Sequence, residues 1–102
     1  MVRPKKRRFV ESEPSVTYFK PRAVPLSQLQ EVDLTVEELE AIRLKDFEGN
    51  DQTTVARKMG LSQPTLHRLL ISARKKIAEA LVQGKAIRIH GGFNTLKKGG
   101  MI

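Results

Sequence analysis

The sequence predicts a mainly α domain: three helices, the last two forming a helix-turn-helix, with short β-strands at the N- and C-terminal ends and a basic N-terminal tail. Three observations predict it. Side-chain caps open three separate stretches, glycines close them, and apolar residues between recur three or four apart.

The first helix opens at Thr35. With Glu38 three residues on, Thr35 forms a capping box in which hydroxyl and carboxylate satisfy opposite orphan amides, and Leu34 and Leu39 flank it as a hydrophobic staple. The helix is expected from about Val36 to Phe47, with Leu39, Ile42 and Phe47 facing inward, and Gly49 is the natural left-handed residue at its end. Glu37, Glu38 and Glu40 are read as first-turn charge that favours the helix dipole.

Asp51 caps a second helix from Gln52 to Met59, and Gly60 breaks it. Leu61 packs into the turn, and Ser62 caps the third helix. Pro64 falls in that helix's first turn, where a missing amide donor costs little. The third helix continues to about Val82, with Leu66, Leu69, Leu70, Ala73, Ile77, Ala80 and Leu81 as its inward stripe, and Gly84 stops it.

The flanks are less regular. Residues 1–15 read as a tail carrying Arg3, Lys5, Lys6, Arg7 and Arg8, either an arm that lies along DNA phosphates or enters a minor groove, or a solvated terminus. Val16 to Phe19 is β-prone, and Pro25-Leu26 opens a brief helical candidate. Lys85 to His90 alternates apolar with polar and reads as a strand, pairing with residues 16–19 of the same chain or of a second chain. The expected domain is therefore 16–92 around a core of 34–83, and 93–102 is a second loose tail.

Charge separates along the 102 residues. From Glu31 to Asp51 eight acids face only Arg43 and Lys45, whereas from Gln52 onward the single acid is Glu79 against ten lysines and arginines. With a net charge of +8, this asymmetry gives one face that attracts phosphate. The absence of cysteine excludes disulfides and thiolate zinc sites, and no apolar run approaches a membrane span. No secretory signal is visible at the start, so a cytoplasmic location is the expectation.

Two helices that cross so that the second enters a groove need a small residue at the close approach, a turn without a side chain in the way, and apolar contacts from both helices. Ala56, Gly60 and Leu61 supply the structural positions. With its apolar stripe turned inward, the third helix presents Gln63, Pro64, His67, Arg68 and Ile71 outward. Gln63 and Arg68 suit adenine and guanine edges, and Ile71 or Pro64 a thymine methyl. Thr53, Thr54, Ser62, Arg74, Lys75 and Lys76 are the candidate phosphate contacts. His67 and His90 sit at no recognisable metal or catalytic spacing, so no enzyme, metal or cofactor is expected.

Residues 34–81 resemble the helix-turn-helix of sigma-factor region four, through Leu34-Thr35, Val55 to Ser62, and Ala73 to Ile77. That resemblance implies that Gln63, Pro64, His67 and Arg68 face bases. More of the chain, through Val16 to Arg22, Pro25-Leu26, Leu39 to Leu44 and Gly84 to Ile89 with Gly91-Gly92, is similar to an uncharacterised prokaryotic family of predicted DNA-binding proteins, the domain of unknown function numbered one-three-four. Asn50-Asp51 and Thr53-Thr54 depart from that family's pattern.

The expectation is a transcriptional regulator that places helix 62–82 in the major groove of double-stranded DNA. One such helix reads only a few base pairs, so a homodimer is expected, joined through the 85–90 strand. The alternatives are a module docking on RNA polymerase or another regulator, and an RNA-binding protein.

Overall fold

A computed structural model describes residues 8–11, 13–91 and the backbone of 94–96. In chain order it contains β1 (Arg8–Val10), β2 (Tyr18–Phe19), a 3-10 turn (Leu26–Gln28), β3 (Glu31–Leu34), α1 (Val36–Ile42) running into a π turn (Arg43–Phe47), α2 (Gln52–Met59), α3 (Gln63–Gln83), β4 (Ala86–Ile89) and β5 (Asn94–Leu96). The architecture is mainly α with short strands.

Local chemistry sets the helix ends. Thr35 Oγ1 accepts from the Glu38 amide at 3.1 Å while Glu38 Oε1 accepts from the Thr35 amide at 2.9 Å, completing the capping box. Asp51 accepts from the Thr54 amide and Ser62 from the Thr65 amide. Gly60 and Gly84 end α2 and α3 at φ +67° and +66°, the left-handed region where a side chain is costly.

α3 packs against α1, α2 and β3. Ala41, Leu44, Val55, Ala56, Met59, Leu66 and Leu70 form one buried cluster among the helices. Leu34, Ala73 and Ile89 form a second, where α3 meets the sheet. That sheet has the order β2-β4-β3, with β4 antiparallel to β2 (Tyr18 opposite Arg88) and parallel to β3 (Glu31 opposite Ala86, Leu34 opposite Ile89).

Several expectations are corrected. The 85–90 strand does pair with 18–19 of its own chain, but β3 takes its other edge, so no ladder edge remains for a second copy there. The tail assignment 1–15 fails at residues 8–11, because β1 pairs in parallel with β5 and Val10 is fully buried. β5 likewise removes 94–96 from the loose C-terminal segment. The arm residues Arg3, Lys5, Lys6 and Arg7, and the rest of 93–102, lie outside the described residues.

Phe47 does not face inward; it is 85% exposed. The last turn of the first helix is widened, with the Glu48 amide donating to the Arg43 carbonyl five residues back, and this rotates Phe47 off the buried face. Leu81 is 77% exposed, because it is one residue round from Ala80, the last buried position of α3.

Glu37 and Glu38 lie in the first turn of α1 as expected, but with Glu40 they are also buried, at 2%, 4% and 3% exposed. Lys76 pairs with Glu38 at 2.8 Å and Arg43, three residues on, with Glu40 at 2.9 Å, whereas Arg8 approaches Glu37 only to 3.9 Å and, among the described residues, Glu37 Oε2 makes no hydrogen bond. Unpaired buried charge costs several kcal/mol per ion, so Lys76 and Arg43 are part of the fold.

Candidate nucleic-acid interface

The candidate interface is built on the junction of α2 and α3. Ala56 is buried where the helices meet, and its carbonyl accepts from the Leu61 amide at 2.9 Å, which fixes the turn. Gly60 lies under the Phe9 ring: a Cβ at this position would stand 3.0 Å from the ring. Leu61 packs partly buried against the helical cluster. Ala56, Gly60 and Leu61 thus all lie at the junction of α2 and α3.

From this turn α3 projects with two distinct faces. Leu66, Leu70 and Ala73 are buried, whereas Gln63, Pro64, His67, Arg68 and Ile71 are all exposed, Ile71 at 52%. The structure brings these five together on the outer side of the N-terminal half of α3. Gln63 Nε2 donates to Thr53 Oγ1 at 3.2 Å, which ties the start of α3 to α2. Arg68 reaches back to Thr65 Oγ1 at 3.5 Å, so its guanidinium lies along the first turns rather than toward the C-terminal end.

The candidate phosphate contacts divide. Thr53 and Ser62 are exposed at the mouth of the turn, and Thr54 is half-buried. Lys75 is exposed. Arg74 forks onto Asp46 with bonds of 3.0 and 2.7 Å, and this raises the guanidinium pKa and lowers that of the Asp46 carboxyl. Lys76 turns inward to Glu38, whose other oxygen accepts from Ser72 at 2.6 Å. Burial pushes the Glu38 carboxyl up, but the bonds from Lys76, Ser72 and the Thr35 amide outweigh it and hold the group below its ordinary value.

An open groove of about 500 Å³ beside α3 is lined by Arg8, Thr65, Arg68 and Lys76 together with the acids Glu37 and Glu38. Thr65 escaped the sequence; Arg8 was read there only as part of a tail. His90, just past β4, has its Nε2 3.0 Å from Asp33 of β3. Among the described residues no group of three His, Asp or Glu side chains is arranged to hold a metal, and no helix is long and apolar enough to cross a membrane.

Comparison with known proteins adds a lineage to this geometry. The family described as Protein of unknown function DUF134 matches over residues 1–97. The chain belongs to this family. Its DUF134 relatives include a UPF0251 protein of Caldanaerobacter subterraneus subsp. tengcongensis, 64% identical over 92 residues, covering 90% of this chain and 78% of the relative. A UPF0251 protein of Thermoanaerobacter pseudethanolicus is 62% identical with the same coverage. One from Moorella thermoacetica is 62% identical over 93 residues, 91% of this chain and 62% of the relative. No solved structure matches this DUF134 chain.

Proposed function

We propose that this protein binds double-stranded DNA in a sequence-dependent way and acts as a transcriptional regulator, through a helix-turn-helix of the sigma region-four type. The observation that carries the reading is the outer face of α3. A helix whose opposite side is fully packed keeps Gln63, Pro64, His67, Arg68 and Ile71 exposed just past a tight turn. A major groove about 12 Å wide admits one helix, and glutamine and arginine are bidentate readers of adenine and guanine.

Backbone contacts belong to Thr53, Ser62 and Lys75, which are exposed around that face. Arg74 joins them only by exchanging Asp46 for a phosphate. Lys76 is committed to Glu38 and is withdrawn from the phosphate set.

Recognition by one short helix covers few base pairs, so the functional species is a homodimer on two half-sites. Both edges of β4 are occupied, so its interface lies elsewhere. Selection of bound fragments from random duplex DNA tests the whole reading. A palindromic consensus with half-sites one helical turn apart is the expected result. Binding that enriches no sequence and vanishes at moderate salt would refute it.

A further inference from the structure

Glu37 carries a carboxylate that the fold leaves half used. The residue is 2% exposed in α1, yet among the described residues its Oε2 accepts no hydrogen bond. Its neighbour Arg8 is in the same position. Arg8 Nε is out of contact with water and donates to no described residue, and Arg8 Nη1 stands 3.9 Å from Glu37 Oε2, beyond hydrogen-bond reach. A buried carboxylate and guanidinium recover their lost hydration through paired hydrogen bonds, and this pair makes none. Both residues line the open groove of about 500 Å³ beside α3.

The rest of the groove wall divides into committed and free groups. Glu38 is satisfied by Lys76, Ser72 and the Thr35 amide. Arg68 is exposed and reaches Thr65 Oγ1 at 3.5 Å, the limit of a hydrogen bond, and Leu69 supplies an apolar stretch. What stands open is one acceptor, Glu37, and two donors, Arg8 and Arg68, around a space of the size that holds a small molecule.

We propose that this groove binds a free α-amino acid, its ammonium on Glu37 and its carboxylate on Arg8 and Arg68. A lone cation drawn to Glu37 would be repelled by two guanidiniums, and a lone anion would leave Glu37 unanswered. A zwitterion meets both signs and adds no net charge. Its ammonium nitrogen and carboxylate oxygens lie about 3 Å apart, close to the 3.9 Å between Arg8 and Glu37. Arg8 must shift to admit it, and an ion pair without a hydrogen bond resists that shift weakly. Since Arg68 is also one of the base-facing side chains, an occupied groove holds it back from the duplex. That coupling rests on the DNA-binding reading; the amino-acid site itself does not.

Calorimetric titration of the full chain without DNA, using each common L-amino acid in turn, tests the site. Saturable binding of one or a few is expected. The tightest of them is then compared with its decarboxylated amine and its deaminated acid, each expected to bind at least tenfold more weakly. Glu37→Gln keeps the shape and removes the charge, and should weaken binding about tenfold. Arg68→Ala, at an exposed position, should do the same, so the result does not hang on the stability of the Glu37 variant. Leu81→Gln, which does not line the groove, should bind as the parent does. No binding of any amino acid at millimolar concentration overturns the proposal, as does an amine that binds as tightly as its amino acid.

On the duplex selected from the random pool, a saturating amino acid should weaken binding by the parent about fivefold and leave Arg68→Ala unaffected. Unchanged binding by the parent overturns the coupling to Arg68. A parent protein that takes the amino acid but selects no duplex overturns the DNA-binding reading instead, so the two failures are distinct.

Discussion

Lys76 Nζ donates to Glu38 Oε1 at 2.8 Å, which binds the middle of α3 to the first turn of α1 across 38 residues of sequence. The carboxylate is 4% exposed, so this lysine neutralises a charge that is mostly out of water. Lys76→Ala is expected to cost about 1–3 kcal/mol in urea unfolding, because it leaves a mostly buried carboxylate without its counter-charge. On DNA the same variant should leave the salt slope of the folded protein unchanged.

The pair also sets a pH dependence. Glu38 is held below its ordinary value in the folded state, so the unfolded chain takes up a proton first as pH falls. Its contribution is complete above the normal glutamate range near 4.3 and is lost as pH drops through the lower, folded value. In Lys76→Ala burial acts with one opposing bond fewer, so the folded value moves up toward the unfolded one and the loss of stability on acidification should be smaller. Unfolding free energies measured from pH 7 to 3 check this, and superimposable profiles for the two proteins would contradict it.

Arg68 and Lys75 are expected to behave differently on DNA, although both are exposed cations of α3. Arg68→Ala should cost about 1–3 kcal/mol at one base position and relax preference there. Lys75→Ala should weaken every sequence alike and reduce the salt slope by about one unit. Titrations on the selected duplex and on single-base variants at three salt concentrations separate the two outcomes.

Gly60 and Gly84 share nearly the same φ, +67° and +66°, but only Gly60 has a neighbour within 4 Å of a built Cβ, the Phe9 ring. Gly84→Ala should therefore cost only the left-handed penalty, about 1–2 kcal/mol. Gly60→Ala should cost more, because the ring must move. Combining it with Phe9→Ala should return the excess, which denaturant melts of the four proteins measure as a coupling energy.

Leu81 lies outside the core despite its place in an apolar series. Leu81→Gln should change stability by no more than about 0.5 kcal/mol, whereas Leu70→Ala, at a position 2% exposed, should cost about 2–5 kcal/mol. Equal losses in thermal or urea melts would place Leu81 back inside.

The helices were legible because their signals are local. Thr35 with Glu38, Asp51, Ser62, Gly60 and Gly84 each act on backbone within a few residues, and each acts in the structure as its position in the sequence implied. The exposed set Gln63, His67 and Arg68 followed from the same local register. What could not be read depended on distant partners. Glu31 to Leu34 alternates polar with apolar over only four residues and becomes a strand because β4 lies beside it, 55 residues on. Arg8 and Lys76 look like solvated cations until α1 brings Glu37 and Glu38 against them. Phe47 depended on a widened turn that no residue type announces.

The central place of β4 carries a consequence for how the domain is made. Both of its neighbours are encoded near the start of the chain, and the strand they embrace comes after the last helix. During synthesis β2 and β3 must therefore wait, edges open, until Ile89 has left the ribosome. Helices can form as they emerge, but closure of the sheet is a late, long-range event and sets the pace of folding. A stalled or truncated product ending within α3 would lack β4 and expose two unpaired edges, the kind of surface on which chaperones and proteases act.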